Sequence, residues 1–174
     1  MKSYTLNDVV RVADATAPTV RGWLRQSVLT ADVAPPGGRG KHRRFSFVNL
    51  VEARVVSRLH HQWNMPPAVL RQSVLMLRLI DPRAGQTRLA DVWDRILNPS
   101  SRRPNDGLFL LLSPHFPGGE QLIVTEESRG SSALGMEMLV DMLVLDVRAA
   151  IEETETITGD NWYTIAPEQR RSND

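Results

Sequence analysis

Apolar side chains recur at helical spacing from Leu6 to Leu29 and again from Phe47 to Leu59, and a polar, Pro- and Gly-rich stretch separates the two runs. Leu6, Val9, Val10 and Ala13 predict a short amphipathic helix over 6–13. Thr5 stands before it and Asp8 three residues on, the layout of a capping box with Asp in place of Glu. A turn follows at Asp14–Ala15. Thr16 is placed to cap a second helix, with Pro18 in its first turn, where a missing N–H does no harm. Val20, Trp23 and Leu24 give that helix an apolar face, Thr19, Arg21, Arg25 and Gln26 lie elsewhere on it, and its end is expected near Ser27–Leu29. Two short helices joined by a tight turn, the second bearing exposed polar and basic side chains, make a helix-turn-helix candidate. A plain α-hairpin packed in a core is the alternative.

The stretch "TADVAPPGGRGKHRRFSF" holds too much Pro and Gly for a helix and ends in alternation. It predicts a loop between short strands near 32–34 and 43–46, with Phe45 turned into the core and Arg43 and Arg44 turned out. A third helix starts at Ser46, with Leu50, Ala53, Val56 and Leu59 along one stripe. "MPPAVLRQSVLMLRLID" makes a fourth, with Val69, Leu70, Val74, Leu77 and Leu79 apolar, stopped by Pro82 and Gly85. In the second half "RLADVWDRIL", 88–97, predicts a short helix, and 108–113 with 121–127 predict a β-hairpin. Residues 132–155 read mainly as one helix, apolar almost all round from Leu134 to Leu145. The competing reading makes 142–147 a strand ahead of a helix. The expected class is mostly α with small β (α+β). The expected domains are 1–80, 86–165 as a small α+β unit, and a flexible tail at 166–174.

Composition changes this picture little, whereas charge changes it more. With 41% hydrophobic and 24% charged residues in 174, the chain is ordinary globular material. Residues 1–60 carry ten Lys/Arg against four Asp/Glu, and the rest carry eleven against sixteen. A basic first third joined to an acidic remainder suggests that the first third meets a polyanion. There is no cysteine, so neither disulfides nor thiolate chemistry is available, which is consistent with the cytosol. No secretory signal or membrane span is expected from the apolar runs.

The segments "YTLNDVVRVADATAPTVRGWLRQSVL", "RRFSFVNLVEARVVSRL" and "WNMPPAVLRQSVLML", in that order around a basic loop, resemble the DNA-binding domain of the MerR family. Thr16, Thr19, Val20, Arg21, Trp23, Arg44, Phe45, Asn49 and Leu50 fall at the matching places, over about residues 3–77. The resemblance implies a winged helix-turn-helix in a cytoplasmic, nucleoid-associated transcriptional regulator acting as a homodimer on double-stranded DNA. It further implies that the recognition helix enters the major groove and that the wing grips the backbone or minor groove beside it. Three departures stand out: Gly22 where the family has a bulky residue, a longer and more basic wing, and no heptad run for a dimerisation coiled coil.

On that footing the DNA-binding residues are Thr16, Thr19, Arg21, Arg25, Arg39, Lys41, His42, Arg43 and Arg44. Loop cations neutralise phosphates and carry little sequence information, while Thr19, Arg21 and Arg25 are the better base readers. Glycines in the loop let it hug the sugar-phosphate surface. A P-loop reading of "GGRGKHRR" fails because His42 follows Gly40-Lys41 and Pro35 takes the first glycine's place. A phage or mobile-element protein with the same module (excisionase, repressor or packaging subunit) is an alternative. An autoregulating antitoxin whose C-terminal half grips a protein partner is another, and so is a module whose basic face binds an acidic protein. The C-terminal half is open to dimerisation, a small-molecule effector or a protein partner.

No catalytic, metal or cofactor role is expected. His42, His60, His61 and His115 show no metal spacing. Met136, Met138 and Met142 read as core filler rather than a cofactor box. Glu152, Glu153 and Glu155 read as a solvated helix end, and no G-x-S-x-G or paired-carboxylate pattern stands out.

Overall fold

The computed structural model describes residues 2–33, 43–80, 87–88, 107–112, 121–125 and 143–161. The described part is mostly helical, with few strands. Its helices are α1 (Leu6–Ala13), α2 (Ala17–Arg25), α3 (Phe47–Trp63), α4 (Pro67–Arg78) and α5 (Val147–Thr158). The chain divides into two compact units. One runs to Val74 and takes in the segment that begins at Ala150, and the other is Leu75–Ala149. The expected division lies between 80 and 86; here α5 from Ala150 onward groups with the N-terminal helices.

In the first unit the caps set the helix starts. The Thr5 hydroxyl accepts from the Asp8 N–H at 3.4 Å, and Asp8 Oδ2 accepts from the Thr5 N–H at 2.8 Å, closing the capping box. Asp14, left-handed at φ 50°, ends α1 and turns the chain. Thr16 caps α2 by accepting from the Thr19 N–H at 3.3 Å. The helix ends at Arg25, short of the expected Ser27–Leu29, because Ser27 takes φ 55° and sends Val28 and Leu29 into the core. The Arg71 guanidinium of α4 donates to the Gln26 carbonyl at 3.1 Å, satisfying one of the acceptors left open at that end.

Helix α3 is the centre of this unit. Phe47, Leu50, Val51, Ala53, Val55, Val56 and Leu59 are all fully buried, so the helix is apolar around most of its girth and neighbours must cover it on several sides. Helix α1 packs against it. The part of α5 in this unit supplies another cover, with Ala150, Ile151 and Thr154 buried along one stripe. Arg54 Nε donates to Glu153 Oε2 at 2.8 Å, Arg58 pairs with Glu153 Oε1, and Arg54 Nη1 reaches the Val12 carbonyl at 3.3 Å. Glu153 is therefore held by two arginines of α3, a correction to its reading as part of a solvated helix end. His60, in the last turn of α3, meets Trp23 edge-on at 5.8 Å between ring centroids, with its Nδ1 buried.

The two ends of the basic loop are fastened to each other. Val33 bridges Arg44, and Tyr4 bridges Phe45, so single bridges stand where short strands at 32–34 and 43–46 were expected. Asp32 Oδ2 accepts from the Ser46 hydroxyl at 2.6 Å and Asp32 Oδ1 from the Ser46 N–H at 3.1 Å. Asn49 Oδ1 accepts from the N–H groups of both Asp32 and Ser46 at 3.2 Å, and its Nδ2 donates to Glu52 at 3.0 Å. Ser46 and Asn49 are also the capping box of α3, so one polar knot starts the helix and closes the loop.

In the second unit β1 (Leu79–Ile80) pairs antiparallel with β2 (Thr87–Arg88). Leu79 thus leaves α4, and Arg88 lies in a strand instead of opening a helix. The rest of the helix expected over 88–97 lies outside the described residues, as do Leu134, Met136, Met138, Met142, His115 and the 166–174 tail. Strands β3 (Gly107–Leu112) and β4 (Gln121–Thr125) pair antiparallel, with Gly107 opposite Thr125 and Leu111 opposite Gln121. Strand β5 (Leu143–Asp146) pairs with the other edge of β3, so the order is β4-β3-β5. This corrects the main reading of 132–155 as one helix: residues 143–146 are extended, and the competing strand-then-helix reading describes them. Asp146 ends the strand and caps α5, its Oδ1 accepting from the Ala149 N–H at 3.0 Å.

Candidate nucleic-acid interface

Helix α2 presents Arg21 and Arg25 one turn apart, four residues along the same face. Both are exposed because the opposite face, Val20 and Trp23, is spent on the core. Arg43 and Arg44 arrive from a different part of the chain, at the end of the basic loop, where the Val33 and Tyr4 bridges fix the backbone. All four arginines line one open groove of about 870 Å³. Thr5, Leu6 and Asn7 at the start of α1, Pro18 and Leu24 of α2, and Phe45 also line it, and no carboxylate is among the described lining residues.

The cations of this unit differ in what holds them, and Arg71 is taken up at the Gln26 carbonyl. Lys2, Arg11, Arg54 and Arg58 are paired with Asp160, Asp8 and Glu153. Among the described residues Arg21, Arg25 and Arg43 make no ion pair. Arg44 feels Asp8 nearby, one of the smaller influences on that carboxyl. Burial pushes the Asp8 carboxyl up, but hydrogen bonds from the Thr5 N–H and hydroxyl, with the charges of Arg11 and Arg44, hold it below its usual value. The groove is therefore a concentration of positive charge with donors to spare, suited to an anion that presents several oxygens in a row.

Arg21, Arg25, Arg43 and Arg44 thus come together as one cluster. Thr16 and Thr19 do not line the groove: their hydroxyls lie 2.8 Å apart at the N-terminus of α2, and Thr16 is occupied as the cap. Arg39, Lys41 and His42 lie outside the described residues. The contribution of α1 was not anticipated from sequence. The available signal was Asn7, a polar side chain in the first turn of α1 on the face left out of the Val9–Val12 core contact.

Among the described residues there is no group of three His, Asp or Glu side chains arranged to hold a metal ion, and no helix long and apolar enough to cross a membrane. Compared with protein-family models and with curated proteins, the chain matches none.

Proposed function

We propose that this protein is a sequence-specific, double-stranded-DNA-binding transcriptional regulator of the MerR-like type, a winged helix-turn-helix acting as a homodimer. The observation that supports the reading is the shared groove of Arg21, Arg25, Arg43 and Arg44, with no carboxylate among its described lining residues, while Arg11, Arg54 and Arg58 are taken up in internal pairs. Helix α2 is of a size to enter the major groove, where Arg21 and Arg25 offer the paired donors that guanine O6 and N7 accept. Arg43 and Arg44 then lie where the sugar-phosphate backbone passes. One module of this size reads few base pairs, and two related by a dyad read a palindrome.

The test is selection of bound duplexes from a random pool by the full chain, followed by affinity measurements on the selected site and on random DNA. Arg21→Ala is expected to weaken the selected site by about 1–3 kcal/mol more than it weakens random DNA. Equal losses on both would demote α2 from reader to scaffold. Purified protein that ignores duplex DNA even in dilute salt would sink the proposal.

A further inference from the structure

The groove is held from behind by a residue far away in sequence. Gly159, at φ 71°, takes the left-handed conformation that ends α5 and turns the chain, its N–H donating to the Glu155 carbonyl at 2.9 Å. That turn delivers Asp160, whose N–H is pinned to the Thr158 hydroxyl at 3.2 Å. The Asp160 side chain, only 11% exposed, accepts from the Tyr4 hydroxyl at 2.7 Å through Oδ2 and pairs with Lys2 through Oδ1. Tyr4 is itself buried, and its backbone exchanges two hydrogen bonds with Phe45, at 2.9 and 3.1 Å. Phe45 is fully buried and is the immediate neighbour of Arg44, while Thr5, next to Tyr4, is in the groove wall.

One tyrosine therefore joins the end of α5 to the end of the basic loop. We propose that Asp160 is a positioning residue for the groove: by fixing Tyr4 it fixes Phe45, and so sets the backbone from which Arg44 reaches a phosphate. An arginine on a fastened backbone gives up less freedom when it binds than one on a loose backbone. The inference rests on the DNA-binding reading for its ligand. It adds that the contact made by Arg44 depends on a carboxylate at the far end of the chain.

Asp160→Asn, Tyr4→Phe and Arg44→Ala, with the Asp160→Asn/Arg44→Ala pair, are compared with the wild type in the full chain. Two quantities are measured: affinity for a random-sequence duplex over a salt series, and hydrogen exchange of the Tyr4 and Phe45 amides without DNA. Asp160→Asn is expected to speed exchange at both amides. It is also expected to flatten the logarithmic salt dependence by up to about 0.9, equivalent to about 3.5-fold less affinity lost over a fourfold rise in salt. Added to Arg44→Ala it should change the slope no further, which a general loss of stability would not achieve. Tyr4→Phe removes the Tyr4–Asp160 hydrogen bond outright, where Asp160→Asn weakens it by removing the charge, and should reproduce both effects if Asp160→Asn fails to fold. Unchanged exchange, or faster exchange with an unchanged slope in a protein that binds DNA, overturns the positioning role alone. A wild type that does not bind duplex DNA overturns it together with the proposed function.

Discussion

Removing Arg43 and Arg44 together tests the groove most directly, because its magnitude follows from the number of cations gathered there. Each phosphate neutralised on duplex DNA contributes about 0.9 to the logarithmic dependence of affinity on salt, through released counterions. Arg43 and Arg44, the two placed beside the sugar-phosphate backbone, would then supply a slope of about 1.8, or about a 12-fold loss of affinity for a fourfold rise in salt. Arg43→Ala/Arg44→Ala should remove that share. The slope of the whole protein should accordingly drop by about 1.8, whatever further cations contribute to its absolute value. The assay is fluorescence anisotropy of a labelled duplex of arbitrary sequence, titrated between about 50 and about 200 mM salt. Arg58→Ala is the control: its partner is Glu153, and it lies outside the groove lining. A double variant with the wild-type slope would refute the reasoning, as would an Arg58 variant that flattens the slope equally.

Two further outcomes follow from local geometry. A Cβ built on Gly22 meets nothing within 4 Å, and the position is inside α2. Gly22→Ala should therefore raise stability by about 0.5–1 kcal/mol and the midpoint of a thermal melt by about 1–4 °C; a lower midpoint would mean the site is not open. The Tyr4 phenol is raised above its ordinary value by burial first, then by its hydrogen bond to Asp160 and the charges of Asp160 and Asp8. Because the folded state favours the protonated phenol, this stabilisation is complete below the unfolded value of about 10 and is lost as pH rises above it. Urea unfolding at about pH 8 and about pH 11 should show a smaller alkaline loss in Tyr4→Phe than in the wild type; parallel losses would place the alkaline sensitivity elsewhere.

The first three helices were legible because their starts are written locally. Thr5 with Asp8, Thr16 ahead of Pro18, and Ser46 each mark a first turn, and the structure places helix starts at all three. The pairing of Arg21 with Arg25 was legible for the same reason, since a helix brings positions four apart onto one face. Residues 143–146 were not legible in this way. "LVLD" lies in a run that is apolar on every side, where neither a period of 3.6 nor a period of two can be read, and pairing with β3 decides the outcome. The contacts of Glu153 and Asp160 were beyond any local reading. Their partners stand 95 to 158 residues away in the chain, and a carboxylate at a helix end looks the same in sequence whether water or an arginine faces it.

The knot of Asp32, Ser46 and Asn49, with the Val33–Arg44 bridge, acts as a socket. It sets where the intervening chain leaves and returns without using any residue from within it. Closing a longer connection between two fixed posts is a weak function of length, about 0.6 kcal/mol for each doubling. The stretch from Ala34 to His42 can therefore be treated as a cassette. A graft of different length or charge between these posts should leave the helices that carry the socket in their packing.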